Sequence, residues 1–177
     1  PQPHDPRIEL VIRRADGSHH RIADLLRGFD RAIYVLGHRR SFPVAAYLAY
    51  SLHQVDKRTV FIDSVGGMTR QQIHGITHDD LLLVVSYQPY AEEAVHLIDA
   101  AVDARCKVLS ISDSPVSPVA KPASLVLQVR EAEIRKFRSL STSMCLAQAL
   151  VISYAFSTAT TTRNASTLGA KKRTAKK

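Results

Sequence analysis

LLLVVSYQPYAEEAVHLIDAAVDARCKVLSI, residues 81–111, carries the pattern that decides the fold. Its two apolar runs, Leu81–Val85 and Lys107–Ile111, have the length of buried strands. Between them Ala94, Val95, Ile98, Ala101 and Val102 recur at helical spacing. A helix inserted between two short apolar strands is the crossover that parallel pairing requires, because a tight turn can only reverse the chain.

The same alternation extends outward in both directions. Further apolar runs fall at Ala32–Leu36, Thr59–Ile62 and Leu125–Val129, and Val44, Tyr47, Leu48, Leu52 and Val55 outline a helix between the first two. A last helix is predicted from about Phe137 to Phe156, with Phe137, Leu140, Met144, Ala147, Val151 and Tyr154 along one stripe. Strands alternating with helices predict an α/β fold of three layers, α/β/α, around a five-stranded parallel sheet covered on both faces. Upstream, Pro1-Gln2-Pro3-His4-Asp5-Pro6 reads as a linker, Ile8–Arg14 as a strand stopped by Asp16-Gly17, and Ile22, Leu25 and Leu26 as a short helix. The proline-rich opening and the missing initiator Met are expected of a segment of a longer protein or of a processed start. The expected organisation is an extension over 1–30, one domain over 31–157 and a basic tail over 158–177.

The 177 residues carry a formal net charge of +8, which would suggest nucleic acid if it were spread over the domain. Most of it comes from Lys171, Lys172, Arg173, Lys176 and Lys177, together with Arg163. Upstream of Arg163 the chain has 18 basic and 16 acidic residues, an ordinary balance. The tail has too little apolar surface to order itself and is expected to be disordered and solvated. Cys106 and Cys145 fit neither a disulfide framework nor a metal-ligand spacing, which favours a reducing, cytoplasmic setting. No run of about 18 apolar residues could cross a bilayer. No cofactor motif is present.

In an open α/β sheet, ligands bind outside the carboxyl ends of the strands. Those ends are Gly37-His38-Arg39-Arg40-Ser41, Ser86-Tyr87-Gln88-Pro89-Tyr90-Ala91-Glu92-Glu93 and Ser112-Asp113-Ser114-Pro115-Val116-Ser117-Pro118. Hydroxyls, free N–H groups at helix starts and two arginines suit a phosphate or similar anion. The candidate ligand-binding set is Gly37, Arg39, Arg40, Ser41, Ser86, Tyr87, Gln88, Tyr90, Glu92, Ser112, Asp113 and Ser114. Against this, Ser41 and Ser117 could serve only as helix caps, and the arginines could be solvated.

These loops, in this order, resemble the SIS (sugar isomerase) domain of RpiR-type bacterial transcriptional regulators over residues 30 to 156. The most specific stretch is ISDSPVSPVA, Ile111–Ala120, followed by Ala123-Ser124-Leu125-Val126-Leu127, in which Ser124 stands where the family usually has Asp. The resemblance implies a flavodoxin-like sheet, a homodimer and a phosphorylated sugar or other small anionic metabolite bound at the strand ends. It also implies DNA binding only through a helix-turn-helix domain, which nothing in residues 1–30 resembles. Two loops depart from the family pattern. Arg39 occupies the second glycine of Gly-x-Gly-x-Ser, and Gln88, Pro89 and Ala91 replace Ser, Gly and Thr/Ser in the second loop.

The sequence is compatible with three functions. A stand-alone sugar-phosphate isomerase needs a tuned base, for which Glu131 and Glu133 are candidates, with His38 or His74 opening the ring. Their setting, Arg130-Glu131-Ala132-Glu133-Ile134-Arg135-Lys136, alternates in charge like a solvated segment. A non-catalytic effector sensor is therefore preferred, and a scaffold that only dimerises is the third reading.

Overall fold

The computed structural model describes residues 11–13, 19–21, 26–29, 31–135 and 137–174, with side chains from Leu26 through Thr158. The expected linker, much of the Ile8–Arg14 strand, Ile22 and Leu25 lie outside the described residues. The chain divides into two units, Phe29–Gln148 and the pair of segments Pro1–Gly28 and Ala149–Lys177.

Within Phe29–Gln148, five strands pair in parallel in the order β4-β3-β5-β6-β7. They are β3 (Ile33–Leu36), β4 (Thr59–Ile62), β5 (Leu81–Ser86), β6 (Lys107–Ser112) and β7 (Leu125–Gln128). The run Leu81–Ser86 is buried along its whole length, as a central strand with both faces covered must be. This is the predicted sheet, and the order changes direction between β3 and β5.

Helix α1 (Phe42–Gln54) has Pro43 in its first turn, where a missing N–H costs nothing. It ends at Asp56, whose φ is 60°, with the Lys57 N–H returning to the Leu52 carbonyl at 3.0 Å. A short helix α2 (Thr69–Ile73), which no periodicity announces in so few residues, precedes β5. Helix α3 (Glu92–Asp103) opens on Glu92 and Glu93, charges that suit the positive end of its dipole. Arg105 closes it at φ 57°.

Between β6 and β7 the described residues contain turns and no helix. Ser117 therefore caps a turn instead of a helix, its Oγ accepting the Ala120 N–H at 3.2 Å. Pro115, Pro118 and Pro122 deny this stretch the donors a helix would need.

The last helix differs from expectation at both ends, starting later than Phe137 and running past Phe156 to Thr174, through most of the stretch expected to be a disordered tail. Glu133–Ile134 (β8) and Phe137–Arg138 (β9) form a small antiparallel hairpin, and helix α4 runs Ser141–Thr174. Phe137 is 76% exposed and belongs to the hairpin, so its place in the apolar stripe was a coincidence of spacing. The helix begins where it does because Ser139 Oγ accepts the Ser141 N–H at 3.0 Å and Glu131 accepts the N–H groups of Thr142 and Ser143 at 3.2 and 2.7 Å.

In the other unit, β1 (Val11–Arg13) and β2 (His19–Arg21) pair antiparallel. Leu26, Leu150, Val151 and Tyr154 are buried. No described helix is long and apolar enough to cross a membrane.

Candidate functional site

Beyond the carboxyl end of β3, Gly37 is required by close approach: a Cβ there would lie 2.6 Å from the Ala45 Cβ and 2.9 Å from the Ser41 carbonyl oxygen. That contact seats the start of α1 against the strand. Arg39 follows at φ 54°, so the left-handed backbone that glycine would adopt is kept with a side chain in place. Ser41 stands at the N-cap position and is buried, but its hydroxyl makes no capping hydrogen bond. His38 Nε2 lies 3.0 Å from Ser64 Oγ, tying this loop to the segment after β4. Burial, assisted by Arg39 and opposed by Glu93, holds the imidazole below its usual pKa and hence neutral.

The loop after β5 approaches from the other side of the switch in strand order. Tyr87 is buried, and its ring lies under the Arg40 guanidinium, 5.0 Å from Arg40 Cζ to the ring centroid. Its hydroxyl donates to Ser143 Oγ at 2.6 Å, and Ser143 Oγ donates in turn to Glu131. Burial, reinforced by Glu131, pushes the phenol up to about 12, so Tyr87 acts as a donor throughout the neutral range.

Arg40, Tyr87, Gln88, Asp113, Arg130, Glu131, Glu133 and Arg138 line one cleft of about 290 Å³. Its three acidic groups are engaged with the protein itself. Asp113 accepts from the Gln88 N–H at 3.1 Å and the Tyr90 hydroxyl at 2.7 Å. Glu131 holds the first turn of α4, and Glu133 pairs with Arg138 at 2.7 Å. Burial pushes the Glu131 carboxyl up, but hydrogen bonds from Ser143 and Thr142 outweigh it and hold the group below the usual glutamate value. Among the cations, Arg138 is also spent on the Gln88 carbonyl at 2.6 Å. Arg40 keeps a buried Nε without a hydrogen-bond partner, and Arg130 forms no ion pair with any described residue. The cleft thus presents two available guanidinium groups.

Of the candidate ligand-binding set, Arg40, Tyr87, Gln88 and Asp113 come together here, and the candidate bases Glu131 and Glu133 line the same cleft. Ser86 and Ser112 are the last rungs of the β5–β6 ladder and are buried, with Ser112 Oγ 2.9 Å from Ser117 Oγ. Ser114 Oγ accepts the Val116 N–H at 3.3 Å, and Arg39 and Glu92 are exposed. Gly37, Arg39, Ser41, Ser86, Tyr90, Glu92, Ser112 and Ser114 do not line the cleft. Arg130, which its charged segment marks as solvated, and Arg138, which no sequence signal marks, also line it; the available signal for Arg130 is its position directly after the fifth apolar run. His74, the suggested partner of Glu131, lines a different cleft of about 770 Å³ with His96, Arg70 and Glu93.

The family model described as SIS domain matches residues 30–158. The chain belongs to the SIS domain family. Its fold is similar to the sugar isomerase domain of an RpiR transcription factor from Sphaerobacter thermophilus, with 23% identity, a TM-score of 0.69 and 76% of each chain covered. It is also similar to the Vibrio vulnificus NanR protein complexed with ManNAc-6P, with 21% identity and a TM-score of 0.67 over 84% of this chain and 56% of that one. A Methanococcus jannaschii protein whose structure was taken to infer 3-hexulose-6-phosphate isomerase function shares the fold, with 16% identity, a TM-score of 0.54 and coverage of 76% of this chain and 72% of that one. No curated protein matches this SIS domain in sequence.

Proposed function

We propose that this SIS domain is the effector-sensing, dimerising part of an RpiR-type transcriptional regulator and that it binds a phosphorylated sugar or similar small anion without turning it over. DNA is then read by a separate helix-turn-helix domain, and the setting is cytoplasmic. The observation that carries the ligand class is the state of charge in the cleft: every acid is internally engaged, while Arg40 and Arg130 remain open to an anion. Its volume, about 290 Å³, is at the lower end of ligand clefts and suits a small polar metabolite. Similarity to the RpiR domain and to NanR supports the sensor reading.

The isomerase alternative draws on the likeness to the Methanococcus jannaschii protein. It requires a carboxylate free to accept a proton from carbon. Glu131 is committed to three donors at the start of α4, with its pKa held down, and Glu133 to Arg138. Both engagements support sensing over turnover.

Calorimetry with a panel of sugar phosphates and their neutral sugars, followed by NMR of the incubated ligand, tests the proposal. Binding of a phosphorylated member, recovery of unchanged ligand and a loss of about tenfold or more on Arg40→Ala are expected. An isomerised product would overturn the sensor reading, and silence across the panel would leave only the dimerising scaffold.

A further inference from the structure

At the edge of the cleft, one carboxylate of the protein already occupies donors of the loop beyond β5. The Gln88 N–H and the Tyr90 hydroxyl project from the loop beyond β5, where backbone and side-chain donors of a parallel sheet ordinarily meet a ligand's charged group. Both are closed by a single carboxylate, Asp113, at 3.1 and 2.7 Å. The arrangement is braced from two further sides. Gln128 Nε2 donates to the Asp113 backbone carbonyl at 3.2 Å, and Arg138 holds the Gln88 carbonyl at 2.6 Å. Neither of the other two acids competes for these donors, since Glu131 faces the start of α4 and Glu133 faces Arg138.

We propose that Asp113 is a tethered counter-anion that determines where in the cleft an external anion can bind. It occupies the donor pair of the 86–90 loop and places a negative charge beside it. An incoming phosphoryl or carboxylate group finds the Gln88 N–H and the Tyr90 hydroxyl taken and is repelled by a like charge, so it is directed to Arg40 and Arg130. Asp113 is then a specificity-determining residue that disfavours ligands needing an anion seat on the loop backbone. The inference rests on the anion-binding reading of the cleft and deepens it.

The test uses inorganic phosphate as the probe and the backbone amide of Gln88, observed by ¹⁵N NMR, as the readout. In the wild-type protein phosphate held at Arg40 and Arg130 should move the Gln88 amide only slightly. In Asp113→Ala the same amide should shift saturably, with phosphate bound about fivefold tighter than by wild type, the effect of one regained charge-assisted donor site. Asp113→Asn removes the charge but keeps an acceptor, and should give a smaller gain at the same amide; it decides the matter if the alanine variant does not fold. A wild-type Gln88 amide that shifts with phosphate as far as it does in Asp113→Ala, or two folded variants that bind phosphate no better than wild type, overturns the assignment. Failure of the underlying reading has a different signature: Arg40→Ala would leave the wild-type response to sugar phosphates unchanged, whatever the Gln88 amide does.

Discussion

The Arg40 guanidinium carbon lies 5.0 Å from the centroid of the Tyr87 ring, and the hydroxyl of that ring donates to Ser143 Oγ at 2.6 Å. One aromatic side chain therefore does two jobs: its face holds a cation at the cleft, and its tip anchors the first turn of α4. A guanidinium held over a ring loses less freedom when it pairs with an anion than one waving in solvent.

Separating the two roles of Tyr87 is straightforward. Tyr87→Phe keeps the face and loses the hydroxyl, so anion affinity should change by less than about twofold while stability drops by about 1 kcal/mol. Tyr87→Leu loses both and should also weaken the sugar phosphate. Calorimetry and urea unfolding read the two effects, and equal affinities for the Phe and Leu variants would show that the ring does not position Arg40.

Acid should weaken the start of α4. The Glu131 pKa in the folded protein lies below its ordinary value of 4.5. The stability it adds is therefore fully present above pH 4.5 and is lost as the pH falls through the lower, folded value. Glu131→Gln should be less stable than wild type at neutral pH, and the gap should narrow below pH 4.5. A gap that stays constant into strong acid would mean that the charge of Glu131 contributes nothing.

Gly37→Ala is expected to destabilise by about 1–3 kcal/mol, the usual cost of overpacking, because the new Cβ meets the Ala45 Cβ and the backbone oxygen of Ser41. Since that contact seats the loop carrying Arg40, ligand affinity should fall too. A denaturation midpoint equal to that of wild type would show that α1 can shift freely.

Asp80 offers a contrast. Buried at 1% exposure, it accepts the Ala32 N–H and both the N–H and the hydroxyl of Thr77, each at 2.9 Å. Asp80→Ala strands these donors and should cost about 3 kcal/mol or more, while ligand affinity in the folded fraction stays as it was. Differential scanning calorimetry with and without sugar phosphate separates the two, and a matching loss of affinity would contradict the assignment of Asp80 to the scaffold.

The sheet was legible because each strand is a short apolar run and α1 and α3 repeat at helical spacing; Thr59–Ile62 has the bounds its residues predict. The hairpin was not. Glu133 and Arg138 face each other only once the chain has reversed, and a linear run of alternating charge gives no sign of which charges will pair. For the same reason Arg40, Tyr87, Gln88 and Asp113 could be proposed from the strand-end rule, whereas Arg138 reaches the cleft by a tertiary reversal. The hydroxyls invited a phosphate reading by residue type, but type does not reveal that Ser86 and Ser112 end as ladder residues.

Strand β3 lies between β4 and β5, and the cleft draws on residues from Arg40 to Arg138. During synthesis the first wall of the site emerges early, yet β3 cannot complete its pairing until Leu81–Ser86 is available. Such non-local parallel pairing is intrinsically slow to form. The lining of the cleft is therefore complete only once the hairpin at 133–138 has cleared the ribosome, so this face of the sheet is among the last parts of the domain to be assembled.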